Sequence, residues 1–281
     1  MRIGVYANPN RPHAVELARR VAQRTGGRVD VVTIGDTPTI DGTAGPVPLE
    51  ALEADLVVAL GGDGTFLSVL QRSSLPLFPI NAGHVGFLAE VNGADPAGVD
   101  AAVERLVSGR YTVEERMKLS ASVGGQQLAD ATNEVVVHTS QVAKMREFEI
   151  AIDRAPVGRI RADGIILATP TGSTSYALST MGPVVDPTVE GIVVVGIAPF
   201  LTPPRAVVVD PMRTISVRLV APDKDGVIVI DGQSETRLRG GEGVLVYRAA
   251  RPARFVRLGA PFFLRWQGRN ILPWGTPPAD G

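Results

Sequence analysis

Residues 60–67 read Leu-Gly-Gly-Asp-Gly-Thr-Phe-Leu and directly follow the apolar run of residues 54–59. Glycines at the end of a strand let the backbone turn tightly and approach a ligand with no Cβ in the way. Successive backbone N–H groups in such a turn form a nest for phosphate, and a helix starting there adds a favourable dipole. Asp63 is the unusual member, because a carboxylate beside a phosphate cradle repels its ligand unless a metal ion or a transferable proton is involved. The combination points to phosphoryl transfer. Asp63 is the candidate to accept a proton from a hydroxyl nucleophile, with Gly61, Gly62, Gly64 and Thr65 as the phosphate cradle. Gly-Gly-Asp-Gly is also ordinary turn chemistry, so this loop alone does not decide a function.

A second cluster lies a hundred residues on. Residues 163–176 read Asp-Gly-Ile-Ile-Leu-Ala-Thr-Pro-Thr-Gly-Ser-Thr-Ser-Tyr, again an apolar strand running into a polar, glycine-containing turn. Its hydroxyls can cap a helix or bind the sugar and base edges of a ligand. Asn133-Glu134 precedes the apolar run of residues 135–137, and Asp231-Gly232 is hairpin chemistry, read as structural rather than catalytic.

The elements that must position these residues change character along the chain. Strand-like runs at residues 3–7, 28–34, 56–60 and 77–80 alternate with helical patterns at 12–24, 65–71 and 95–108. Pro12 and the Asp95-Pro96 pair mark helix starts, and Gly26-Gly27 a stop. Such alternation implies a parallel sheet covered by helices. Beyond residue 110 the period becomes 2: Phe148, Ile150 and Ile152 alternate with polar residues, as do Ile215, Val217 and Leu219. Short runs at 227–230, 244–246 and 255–258 sit between Gly, Pro and Asp turns, which suggests a β-sandwich-like second domain with one helix near 175–180. Residues 262–274 form a short amphipathic stretch. The expected division is an α/β domain over 1–110, a β-sandwich domain over 111–250 and a tail over 251–281. Two layers of different class imply a ligand cleft.

Composition narrows the classes. The 281 residues are 44% hydrophobic and 20% charged, with net charge −1. Residues 1–110 carry net −3 and the remainder +2, so neither part has the basic excess of a nucleic-acid binder. Cysteine is absent, which excludes disulfides and thiolate metal sites, and no side chain is assigned as a metal ligand. No apolar run approaches the ~20 residues that span a bilayer, and the N-terminus reads as a strand rather than a signal peptide. The expectation is a cytoplasmic protein with neither membrane nor nucleic acid as partner.

Taken in order, residues 61–65, 81–88, 133–134 and 163–174 resemble the NAD kinase family (ATP- or polyphosphate-NAD kinases, bacterial type), and Asp231-Gly232-Gln233 resembles a further element of it. The resemblance covers nearly the whole chain. It implies transfer of the terminal phosphoryl group of ATP, or of polyphosphate, to the 2′-hydroxyl of the adenosine ribose of NAD, giving NADP. It implies Mg²⁺ with ATP, an α/β Rossmann-like N-terminal domain, an all-β sandwich-like C-terminal domain, a C-terminal tail returning to the first domain, and a homodimer or homotetramer. By similarity, Asp63 and Gly64 touch NAD as well as phosphate, Asn133 and Glu134 hold the adenosine ribose, and Thr174, Ser175 and Tyr176 line the adenine side. Asp163 matches the aspartate near the nicotinamide end. His84 stands where the family carries Arg or His close to phosphate, so a phosphate contact and a structural hydrogen bond are both open.

Three departures stand out. Ser175 replaces the usual Ala, Met181 replaces Gly in a Gly-Gly-Pro string, and residues 199–206 lack the histidine and proline of the family pattern. Two other readings use the same first loop: a lipid kinase of the diacylglycerol or sphingosine type, and a non-catalytic dinucleotide sensor. The lipid kinases do not account for residues 163–176, and a sensor would gain by losing Asp63. A dehydrogenase is disfavoured because no Gly-x-Gly-x-x-Gly follows the first strand.

Overall fold

The computed structural model describes residues 1–83, 86–203, 205–259 and 262. The chain divides into two units. The first comprises Met1–Val69, Leu75–Glu114 and the chain from Arg254 on, and the second Leu70–Ser74 with Glu115–Ala253.

The first unit runs β1 (Arg2–Ala7), α1 (Pro12–Thr25), β2 (Asp30–Ile34), β3 (Ala44–Val47), β4 (Leu56–Gly61), α2 (Asp63–Arg72), β5 (Leu77–Asn81), β6 (Val91–Asn92), α3 (Pro96–Val107) and β7 (Thr112–Arg116). Proline sits in the first turn of α1 and of α3, where its missing N–H is not needed, and Gly26 ends α1 in the left-handed conformation. The buried residues Ala14, Leu17, Ala18 and Val21 of α1 and Val99, Ala102, Val103 and Leu106 of α3 follow helical spacing. They share one core with Ile3, Val5, Leu56, Val58 and Phe78 of the sheet. Each fully buried aliphatic side chain there stabilises the unit by about 1.5–3 kcal/mol. β1, β2, β4 and β5 pair in parallel. Strand β3 was not expected. It contains Pro46, which a strand tolerates only at a sheet edge, and β3 is the edge strand of this sheet.

The second unit contains β8 (Leu119–Val123), β9 (Gln126–Gln127), β10 (Glu134–Thr139), β11 (Arg146–Ile152), β12 (Ala155–Ala162), β13 (Gly164–Ala168), a 3-10 turn (Gly172–Thr174), α4 (Tyr176–Ser179), β14 (Ile192–Ile197), β15 (Val207–Val209), β16 (Ile215–Leu219), β17 (Gly226–Ile230), β18 (Ser234–Leu238) and β19 (Gly243–Arg248). These make two six-stranded sheets, ordered β15-β14-β13-β10-β17-β18 and β12-β11-β16-β19-β8-β9. One core joins them, with Val135, Val137, Ile165 and Leu167 meeting Phe148, Val217, Leu219 and Val246. The opposite face of the first of these sheets is buried too: Val136, Ile166, Val193 and Val195 pack with Ala177 of α4. Burial on both faces explains why β10, β13 and β14 read as unbroken apolar runs, whereas β11 and β16 alternate.

The chain then returns to the first unit. β20 (Ala253–Arg257) pairs in parallel with β5, which makes the first sheet β3-β2-β1-β4-β5-β20-β7, with β6 beside β5. The amphipathic stretch expected over residues 262–274 lies, Phe262 apart, outside the described residues. Among the described residues no helix is long and apolar enough to cross a membrane.

Candidate active site

The order of the first sheet reverses between β1 and β4: strands 1 to 3 grow one way, strands 4 and 5 the other. In open α/β sheets ligands bind beyond the carboxyl ends of the strands at such a switch point. The glycine loop is there, with Gly61 ending β4 and Asp63 opening α2. Thr65 and Phe66 donate their N–H groups to the Gly62 carbonyl, at 2.9 and 3.2 Å, and close the first helical turn. The N–H groups of Asp63 and Gly64 precede those bonds, at a helix start, the kind of position that suits an anion. Thr65 itself is buried, and its hydroxyl is engaged by Asn8 Nδ2 at 3.1 Å, so its side chain shapes the loop from within.

Asp63 is half-buried and held in place. Its Oδ2 accepts the Phe87 N–H at 2.8 Å and its Oδ1 the Leu88 N–H at 3.3 Å. Glycine is required at 86, because a Cβ there would overlap the Asp63 carboxylate. Behind this segment, the buried Arg257 of β20 donates to Leu88 O at 3.4 Å, to Glu90 Oε2 at 3.0 Å and to Glu114 Oε2 at 2.7 Å. Arg257 thus ties the returning strand to the segment that orients Asp63. No spacing or motif marks it in the sequence. His84 lies outside the described residues.

The second unit gathers Asn133, Thr174, Ser175 and Tyr176 around Glu134, whereas Asp163 precedes β13 at the other end of that strand pair, where its carbonyl accepts the Thr139 N–H at 2.9 Å. Asn133 and Glu134 are both buried. Asp231 accepts three backbone N–H groups of this segment: Thr132 at 2.7 Å, Asn133 at 2.7 Å and Glu134 at 3.0 Å. It returns its own N–H to Glu134 O at 3.0 Å. Asp231 and Gly232 both have positive φ, +51° and +64°, in the hairpin joining β17 to β18. The structural role expected of Asp231 therefore extends well beyond a turn. From the other side, Thr169 donates its N–H to Asn133 O at 2.8 Å and its hydroxyl to Thr132 O at 2.6 Å. Gly172 must be glycine because its Cβ would overlap the Asn133 backbone.

Held this way, the segment presents unpartnered buried atoms. Asn133 Oδ1 and Glu134 Oε2 have no hydrogen-bond partner among the described residues, and neither does Asp163 Oδ1 at the other end of β13. Buried polar atoms are normally paired, and orphans mark places where a ligand completes the set. Ser175 Oγ donates to Glu134 Oε1 at 3.1 Å, so the hydroxyl that departs from the family pattern orients the glutamate. Thr174 is buried and donates to Thr171 O at 3.2 Å, whereas Tyr176 is exposed. Met181 holds φ +67°, the conformation that glycine adopts without strain, which explains why the departure from Gly there is unusual. Among the described residues no group of three His, Cys, Asp or Glu could hold a metal ion.

Burial, and then the charge of Asp231, push the Glu134 carboxyl up to about 8, against the pull of its bonds from Ser175 and the Tyr176 N–H. Between the ordinary carboxylate range and about pH 8 the folded protein keeps a proton that the unfolded chain has lost. Stability therefore falls as pH rises through that window. Hydroxyls that donate to a carboxylate favour its ionised form, which bears on the expectation that Glu134 holds the adenosine ribose. NAD affinity is expected to rise between pH 6.5 and 8.5, and Glu134→Gln to flatten that rise while weakening NAD by about 10–100-fold, the worth of a hydrogen bond to a charged group. Calorimetry across pH checks this. Equal weakening of NAD and ATP by Glu134→Gln would remove the ribose assignment.

A parallel sheet with an acid-bearing glycine loop at its switch point, in a chain that also carries an antiparallel sandwich, fits the class of nucleotide-dependent phosphotransferases. The models of the ATP-NAD kinase N-terminal and C-terminal domains match residues 17–111 and 132–258. An NAD kinase of Methanothermobacter thermautotrophicus is 40% identical over 279 residues, 96% of either chain. The crystal structure of an NAD kinase from Archaeoglobus fulgidus in complex with ATP is 30% identical, with a TM-score of 0.73 over 91% of this chain and 93% of that one. Yeast NADH kinase complexed with NADH, at 22% identity, shares the fold with a TM-score of 0.83 over 94% of this chain and 85% of that one. The chain belongs to the NAD kinase family, the kinases that phosphorylate NAD.

Proposed function

We propose that the chain transfers the terminal phosphoryl group of ATP to the 2′-hydroxyl of the adenosine ribose of NAD, giving NADP and ADP. The O2′–H bond breaks, an O2′–P bond forms, the bond from phosphorus to the ADP oxygen breaks, and Asp63 takes the proton. Asp63 is the observation that carries this reading. Its two oxygens each accept one N–H, which holds the carboxylate beside the glycine loop in a fixed orientation. Gly61, Gly62 and Gly64 receive the phosphates. Glu134 and Asn133 bind the ribose through their unpartnered oxygens, Asp163 serves the nicotinamide end, and Thr174, Ser175 and Tyr176 lie on the adenine side. We favour ATP over polyphosphate because the Archaeoglobus relative was solved with ATP.

Mg²⁺ fits this site, because an acid in a phosphate cradle suits a phosphate chain that arrives already carrying a cation. Bound with ATP, it would supply neutralisation of phosphate charge. A homodimer or homotetramer in the cytoplasm, where ATP and NAD meet, completes the reading.

The test mixes purified protein with NAD, ATP and Mg²⁺ and reads NADP through an NADP-specific dehydrogenase. NADP is expected to appear, to fall to background with excess EDTA, and to return when Mg²⁺ is restored. Tight NAD binding without turnover would favour a dinucleotide sensor. ATP consumption that depends on an added lipid would move the acceptor.

A further inference from the structure

The segment after β1 reads Asn8-Pro9-Asn10-Arg11 and runs beside the glycine loop at the switch point. Asn8 is bound to that loop twice, by its N–H to Leu60 O at 3.0 Å and by Nδ2 to Thr65 Oγ1 at 3.1 Å. Its side-chain oxygen accepts the Asn10 N–H at 3.0 Å, and its carbonyl accepts the Arg11 N–H at 3.0 Å. This turn delivers the Arg11 side chain over two glycines. A Cβ at Gly62 would lie 3.6–3.7 Å from three guanidinium atoms, and one at Gly83 would lie 2.6 Å from a terminal guanidinium nitrogen. The guanidinium thus fills the space that a side chain at 83 would take and lies in van der Waals reach of position 62. It is exposed, and among the described residues it has no hydrogen-bond or ion-pair partner.

An arginine laid along a glycine loop gives up rotamer freedom, and nothing described in the protein offsets that. A phosphate would. The guanidinium offers a planar fork of donors that matches phosphate oxygens two at a time. The need is local as well: residues 1–110 are net negative, and Asp63 adds its charge at the loop itself.

We propose that Arg11 binds the β- and γ-phosphates of ATP above Gly62. This rests on the assignment of the ATP phosphates to the glycine loop. Arg11 also supplies the cation that the sequence around residues 60–67 lacks.

The test compares wild type, Arg11→Ala and Arg11→Lys. Binding of ATP, ADP and AMP with Mg²⁺ is measured by calorimetry, and NADP formation is measured with ATP and NAD varied separately. Arg11→Ala is expected to weaken ATP by about 10–100-fold, ADP by less and AMP hardly at all, with the KM for NAD unchanged. Arg11→Lys is expected to recover part of the loss, because a point charge lacks the fork. Equal losses for ATP and AMP would show a structural role and overturn the proposal. So would an ATP affinity and KM within about twofold of wild type. Absence of NADP formation by wild type would remove the donor assignment and Arg11 with it. Normal wild-type turnover with an indifferent Arg11→Ala would sink the Arg11 role alone.

Discussion

Replacing Asp63 with asparagine lowers turnover by about 10²–10⁴-fold, the range for loss of a general base, with little change in NAD affinity. The amide is nearly isosteric but cannot take the 2′-hydroxyl proton. The geometry adds a second effect. Phe87 and Leu88 donate to different oxygens of Asp63, and an amide has only one acceptor oxygen. One of these N–H groups must then face an NH₂, which costs about 1–3 kcal/mol. Steady-state kinetics with parallel ATP and NAD titrations separate the two. Loss of turnover with both affinities kept assigns Asp63 to proton transfer. Loss of turnover together with ATP affinity assigns it to holding residues 86–88. Turnover within about threefold of wild type removes Asp63 from the chemistry.

The second large effect is expected at Asp231. Asp231→Ala leaves the Thr132, Asn133 and Glu134 N–H groups without their acceptor in a buried segment. At roughly 1–3 kcal/mol for each unsatisfied group, and with partial relaxation, the cost is about 3–5 kcal/mol of stability. Alanine also tolerates the left-handed backbone at this position less well than aspartate. Denaturant unfolding with a fluorescence probe in the sandwich checks the stability, and calorimetry checks ligands. On the proposed role of Asn133 and Glu134 toward the ribose, NAD affinity is expected to fall while ATP affinity holds. Removing the Asp231 charge also takes away the second cause of the raised Glu134 carboxyl, so the NAD pH profile of this variant moves toward lower pH. A stable variant with an unchanged pH profile would show that the segment holds itself.

Local chemistry explains which parts were legible. An apolar run that ends in Gly-Gly-Asp-Gly-Thr specifies a strand, a tight turn and a helix start within a dozen residues, and β4 and α2 form there. Helical spacing on α1 and α3 and period 2 on β11 and β16 follow from which face each element buries, so the α/β and all-β classes were readable before any tertiary contact was known. The ordered motifs carried the family resemblance, and the hydroxyl at 175 was visible as a departure.

What only tertiary structure decided is how distant residues meet. Asp231 reaches residues 132–134 across a hundred positions, Arg257 reaches Glu90, and Arg11 reaches Gly83. None of these pairs shares an element or a motif. Whether Glu134 titrates near 8 depends on burial and on a neighbouring carboxylate, both properties of the packed sandwich. Hydrogen bonds and charges act through space over a few ångströms, whereas propensity and periodicity act along the chain. The sequence by itself therefore determined the elements, the loops and the chemistry they carry. The fold decided which side chains hold those loops and which atoms remain free for a ligand.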